Sequence, residues 1–149
     1  FLTLSAPVPP EELIEVLFRC HPRVTGQFST IALTIRKSLL ERSGLFNEHL
    51  RLRQDTHLWR RLAAVGRLVP GSIDKSVAIR GVHGANRMTN KAEQAQFSAE
   101  YWWDSLHEWF RRTPRVPNRA KRSFRLSYRS YWGEASPGGK VEAQRSCAG

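Results

Sequence analysis

Residues 51–66 read RLRQDTHLWRRLAAVG, and this stretch predicts an amphipathic helix that ends at Gly66. Asp55 lies at the predicted start of the helix. Two roles are open for it: a cap that accepts backbone N–H groups, or a carboxylate that performs chemistry. The apolar side chains of one helical face are Leu58, Trp59, Leu62, Ala63 and Val65.

The segments around this helix predict an α/β fold with few strands and several helices. Residues 28–37, FSTIALTIRK, are rich in β-branched side chains and predict a strand buried on both faces. Residues 75–83, KSVAIRGVH, predict a second strand. Further helices are predicted from Glu11 to Pro22, from Ser38 (with Glu41 at capping-box spacing) to Gly44, and from Asn90 to Arg112.

The 149 residues suffice for one domain with a core, and no run of 18 apolar residues predicts a membrane span. Positive charge is concentrated at one end. Residues 1–110 hold 14 Lys/Arg against 11 Asp/Glu, a net +3, whereas residues 111–149 hold 10 against 2, a net +8. We therefore expect a domain over residues 1–113 and a basic, flexible tail over residues 114–149.

Cysteine and histidine spacings exclude several classes of site. Cys20 and Cys147 form no CxxC pair, so we expect no disulfide and a reducing, cytoplasmic location. No HExxH or paired Cys/His spacing is present, which argues against structural zinc.

Four segments follow one another in order: STIALTIRKSLLERSG, GLFNEHL, QDTHLWRRLAAVG and SVAIRGVHGANRM. In this order, over residues 29–90, they resemble the second half of the family 2 glycosyltransferases. The family patterns are G-x-F-D/N-E-x-L, E-D-x-x-L-x-x-R-L-x-x-x-G and Y/V-x-x-R-x-H…N. The resemblance implies a partial GT-A-type α/β fold whose N-terminal nucleotide-binding half is missing.

The resemblance also implies a reaction: inverting transfer of a sugar from a nucleotide-diphosphate sugar to a hydroxyl of a glycan, lipid-linked or protein acceptor. Asp55 takes the position of the general base, because a hydroxyl becomes a good nucleophile only when its proton is removed. The leaving diphosphate requires charge compensation, which a divalent Mg or Mn ion would supply. The other positions implied are Gln54, Arg61, Arg80 and His83 for substrate binding, with His83 also as a metal contact.

This sequence departs from the family at several positions. Gln54 replaces the usual Glu, His57 stands where an acidic residue is common, and Arg60 stands where an apolar one is common. No D-x-D metal motif occurs, and residues 1–28 contain no Asp. We therefore expect the chain to be a fragment that begins after the donor-binding half and is inactive alone.

Each implied site residue also has a structural alternative. Arg80 would then be a solvated charge at a strand end, and Arg61 would form an ion pair. His83 would be a strand-end histidine, either at the surface or hydrogen-bonded in the core. Trp102 and Trp103 are expected in the core rather than in an acceptor groove.

A second hypothesis is a non-catalytic basic module that binds nucleic acid or an anionic membrane surface through residues 111–132. Aromatic residues alternate there with arginines, a composition suited to stacking and phosphate contact. Nucleic acid is the less expected partner, since no recognised nucleic-acid-binding motif is present. A lipid-linked acceptor would favour a peripheral position at the inner membrane face.

Overall fold

The computed structural model describes residues 5–9, 11–24, 33–67, 69, 74–75, 79 and 98–134, with the side chain of residue 134 excepted. These residues include five helices and short segments beside them, and none of them belongs to a strand. The helices are α1 (Leu13–Leu17), α2 (Lys37–Ser43), α3 (Gln54–Val65), α4 (Ala99–Arg112) and α5 (Asn118–Glu134).

The predicted α/β fold is wrong, because the described part of the chain is helical and contains no sheet. Residues 33–36, the described part of the first expected strand, have no ladder partner, and helix α2 begins at Lys37. Leu33 and Ile35 instead pack against the buried cluster that includes Leu58 and Leu62 of α3. A run of apolar and β-branched residues can be buried against a helix as well as within a sheet, so the pattern did not identify its partner. Most of the second expected strand lies outside the described residues.

Helix α3 is the centre of the fold and contacts each of the other four helices. The predicted helix over this stretch is confirmed, with Leu58, Trp59 and Leu62 buried and Gly66 as its C-cap. Ala63 and Val65 of the expected face are only half-buried, whereas Ala64 is buried. Helix α2 packs close to this end, because a Cβ placed on Gly66 would lie 2.6 Å from Leu39 Cδ2.

Helix α4 begins at Ala99, whereas Asn90, the expected helix start, lies outside the described residues. Ser98 has extended backbone angles (φ −89°, ψ 109°), and its side chain accepts the N–H of Tyr101. The N–O distance of that cap is 3.1 Å. The hydroxyl therefore satisfies one of the free amides of the first helical turn.

Helix α5 occupies residues 118–134 of the segment expected as a flexible tail. Val116, Ala120 and Phe124 are buried in the same cluster as Trp102 of α4. The Phe124 ring stacks on that of Phe110, with 4.5 Å between centroids. The core thus extends beyond the expected boundary at residue 113, since the apolar face of α5 completes it.

The end of α2 at Gly44 is confirmed, although the expected cap at Ser38 is not seen. Ser38 lies inside the helix, and Arg36 occupies the N-cap position without a side-chain cap bond. Gly44 has φ 79° and ψ 153°, a region open almost only to glycine. A Cβ there would also lie 2.9 Å from Arg61 Nη1.

We expect Gly44→Ala to lower the free energy of unfolding by about 1–3 kcal/mol, because alanine is strained at this backbone geometry. Urea unfolding followed by circular dichroism measures the change. Gly133→Ala is the matched control: Gly133 is helical with open space around its Cα, so alanine should be neutral or slightly stabilising there. Equal effects of the two substitutions would contradict the assigned strain.

Candidate functional site

Asp55, the expected base, lies half-buried in the first turn of α3. Its Oδ1 accepts the backbone N–H of Thr56 at 2.7 Å. The N-cap position itself belongs to Arg53, which has left-handed backbone angles (φ 57°, ψ 21°) and makes no side-chain cap bond. A carboxylate in the first turn is favoured electrostatically by the partial positive charge of the helix N-terminus.

The carbonyl oxygen of Arg53 organises the start of α3, because three donors converge on it. They are the indole Nε1 of Trp102 at 3.1 Å, the hydroxyl of Thr56 at 2.9 Å and the backbone N–H of His57 at 3.1 Å. Trp102 is only 4% exposed, so its expected burial is confirmed. Helix α4 therefore holds the left-handed turn that precedes Asp55.

His57 is buried directly behind this turn, with 2% of its surface exposed. Its Nε2 lies 3.1 Å from the hydroxyl oxygen of Ser105, and its ring meets Trp102 edge-on at 5.6 Å. Burial is the main cause that lowers the pKa of His57 to about 3, and the positive charges of Arg61 and Arg60 contribute to this shift. The imidazole is consequently neutral at physiological pH.

Arg61, expected to contact substrate or to form an ion pair, lies under the turn between α2 and α3. Its Nη1 donates to the carbonyl of Ser43 at 3.0 Å, and its Nη2 donates to the carbonyl of Leu45 at 2.6 Å. The residue is 5% exposed, and burial lowers its pKa to about 10, which still leaves it charged at neutral pH. The guanidinium therefore joins the GLF turn to α3.

Arg60 packs between aromatic rings, a role the sequence pattern did not indicate. Its guanidinium carbon lies 4.8 Å from the ring centroid of Trp102 and 5.1 Å from that of Phe18. Burial is the main cause that lowers its pKa to about 10, and the positive charges of Arg19 and Arg53 contribute to this shift. Its two rings come from remote parts of the chain, so no local signal could reveal this packing.

The structure brings only some of the predicted site residues together. Gln54, Asp55 and Arg61 share α3, but the last two are six residues apart, about 9 Å along the axis and on different faces. Arg80 and His83 lie outside the described residues. Among the residues that are described, no cluster of His, Cys, Asp or Glu side chains fits a metal ion.

An open depression of about 500 Å³ lies at the surface, lined by His49, Ser98 and Tyr101. In the sequence, His49 lies four residues before Arg53, and Ser98 and Tyr101 lie four residues and one residue before Trp102. Arg53 and Trp102 are the two residues joined by the hydrogen bond at the start of α3. The exposed Tyr101 offers an aromatic face and a hydroxyl.

Comparisons with family models, curated proteins and solved structures return no match for this chain. Within the described helices, none is long and apolar enough to cross a bilayer. A functional assignment therefore depends on the residues and contacts given above.

We expect the stability of the protein to fall between pH 6.5 and pH 3 partly because of His57. Its pKa is lowered to about 3 in the folded protein and is about 6.5 when unfolded, so only the unfolded state gains a proton in this window. The free energy of unfolding should drop by up to about 1.4 kcal/mol per pH unit from this residue alone. Urea unfolding at several pH values should show a shallower slope for His57→Gln, and an unchanged slope would contradict the assignment.

We expect Arg61→Lys to lower the free energy of unfolding by about 1–3 kcal/mol, because one ammonium group cannot reproduce two divergent N–H bonds to carbonyls. Arg67→Lys is the matched control, since Arg67 is exposed just beyond α3. Chemical unfolding of both variants tests the difference. Equal stabilities would show that the carbonyl bonds contribute little.

Proposed function

We propose that this chain carries the catalytic base and the acceptor side of an inverting glycosyltransferase that uses a nucleotide-diphosphate sugar. Asp55 takes the proton of the acceptor hydroxyl while that oxygen forms a bond to the anomeric carbon. The bond from the anomeric carbon to the diphosphate breaks at the same time, and its electron pair leaves with the nucleoside diphosphate.

The observation that carries the proposal is a pair of hydrogen bonds from Arg61, which join two of the sequence segments that resemble the family. Arg61, from the segment QDTHLWRRLAAVG, donates to the carbonyl of Leu45 within GLFNEHL and to that of Ser43 just before it. If Asp55 were only a helix cap, neither the turn at Gly44 nor an arginine at position 61 would be needed. The contact explains in physical terms why the two segments occur together, and it supports treating them as one functional unit.

The surroundings of Asp55 also suit a base. Trp102 and Thr56 hold the carbonyl of the preceding turn, so the start of α3 is positioned by tertiary contacts. A base works efficiently when its carboxylate is held in place before the acceptor arrives. The depression lined by His49, Ser98 and Tyr101 is a suitable place for part of an acceptor glycan, since sugars pack well on aromatic faces.

The donor side of the reaction lies outside the described residues. Arg80 and His83 remain its candidates on this chain, and the described residues do not supply a site for the Mg or Mn ion that the resemblance implies. Under the proposal, the donor and metal contacts are made by groups that the described residues do not include. The steps assigned to this chain are acceptor binding and proton removal.

We expect Asp55→Asn to reduce sugar transfer by about 10²–10⁴-fold, the usual contribution of a general base. The assay measures nucleoside diphosphate release and acceptor glycosylation by the protein supplied with a nucleotide-diphosphate sugar, a divalent metal ion and an acceptor. Asp104→Asn is the matched control, since Asp104 is an exposed carboxylate that accepts the Tyr128 hydroxyl.

Thermal unfolding of both variants should stay close to that of the unmodified protein, which separates a chemical effect from a folding defect. Full turnover by a folded Asp55→Asn variant would refute the assignment of the base.

A further inference from the structure

Helix α5 has two faces of different character. Ala120, Ser123 and Phe124 are buried against the rest of the protein. The opposite face carries an arginine stripe, which we define as Arg122, Arg125 and Arg129, all of them exposed. At 3.6 residues per turn, these three side chains fall within an arc of about 60° and extend about 10 Å along the helix.

The charge of the arginine stripe is not neutralised within the described part of the chain. Neighbouring arginines do find acids: Arg111 pairs with Glu108 at 2.8 Å, and Arg119 pairs with Glu15 at 2.8 Å. The stripe makes no such hydrogen bond or ion pair with a described residue. Its three positive charges therefore project together into solvent.

Apolar side chains flank the stripe on both sides. Leu126 is 52% exposed on one side, and Trp132 is 37% exposed on the other. The indole of Trp132 packs against Tyr131 and Tyr128, at 5.3 and 6.1 Å between ring centroids. Tyr131 in turn stacks on Trp103 of α4, so the tryptophan is held by the fold near the end of the helix.

We infer that the arginine stripe, with Leu126 and Trp132, binds the surface of an anionic lipid bilayer. Arginines are attracted to acidic headgroups, and a flanking leucine gains by leaving water for the acyl boundary. Tryptophan favours this interfacial depth because its ring is apolar and its N–H is polar. The exposed Leu126 favours a bilayer over nucleic acid as the ligand, because an aliphatic side chain has neither a stacking face nor a hydrogen-bonding group for a nucleotide.

The inference does not rest on sugar transfer, so it is tested without an activity assay. The full chain is sedimented with vesicles of phosphatidylcholine alone and of phosphatidylcholine mixed with phosphatidylglycerol. Binding is expected only to the acidic vesicles and should weaken as salt is added. Replacing all three arginines of the stripe by glutamine should weaken binding to the acidic vesicles on the order of a hundredfold.

A control variant removes the same number of charges from exposed positions outside α5 and should retain nearly full binding. Leu126→Gln leaves the charge unchanged and should weaken binding roughly tenfold. Circular dichroism confirms that each variant is folded. The stripe variant is Arg122→Gln, Arg125→Gln and Arg129→Gln, and the control is Arg23→Gln, Arg67→Gln and Lys75→Gln.

Three results would overturn the inference. The first is equal loss of vesicle binding in the stripe variant and the control, and the second is no binding to acidic vesicles at all. The third is displacement from vesicles by a single-stranded oligonucleotide combined with unchanged vesicle binding by Leu126→Gln. That combination would assign the stripe to nucleic acid.

Discussion

The buried guanidinium of Arg61 determines how the first half of the fold is arranged. A cation taken out of water is costly unless its N–H groups find acceptors, and here the acceptors are the carbonyls of Ser43 and Leu45. The chain must therefore turn directly over the arginine at the end of α2. Gly44 permits this, because its backbone angles suit glycine and its missing side chain leaves room for Nη1.

A second set of contacts fixes the opposite end of α3. Trp102 donates to the carbonyl of Arg53, packs edge-on against His57 and offers its ring to the guanidinium of Arg60. One side chain of α4 thus supports a hydrogen bond, a buried imidazole and a cation–π contact. The surroundings of Asp55 depend on this packing, although Trp102 is 47 residues further along the chain.

The arginines of this basic chain fall into groups with different physical roles. Arg61 donates hydrogen bonds to backbone carbonyls, and Arg60 packs between aromatic rings. Both side chains therefore stabilise the interior although they are charged. The arginine stripe of α5 is exposed, so its charges face solvent. Net charge alone did not separate these groups, because burial depends on which residues the fold places beside each guanidinium.

The candidate site was partly predictable. The position of Asp55 at the start of a helix followed from the local pattern, and so did the order of the segments around it. The contacts of Arg61 and the burial of His57 did not follow, since their partners Ser43, Leu45 and Ser105 lie 16 to 48 residues away.

The sequence by itself determined the local features: the helix over residues 54–65 with Leu58, Trp59 and Leu62 on its buried face, the glycine stop at Gly44 and the burial of Trp102. Helical periodicity and glycine stops act over a few residues, so they can be read without the fold. Only the tertiary structure decided that residues 33–36 pack on a helix and that residues 118–134 complete the core. A strand needs a partner strand, and an amphipathic helix needs a surface to cover, and both are supplied by remote parts of the chain.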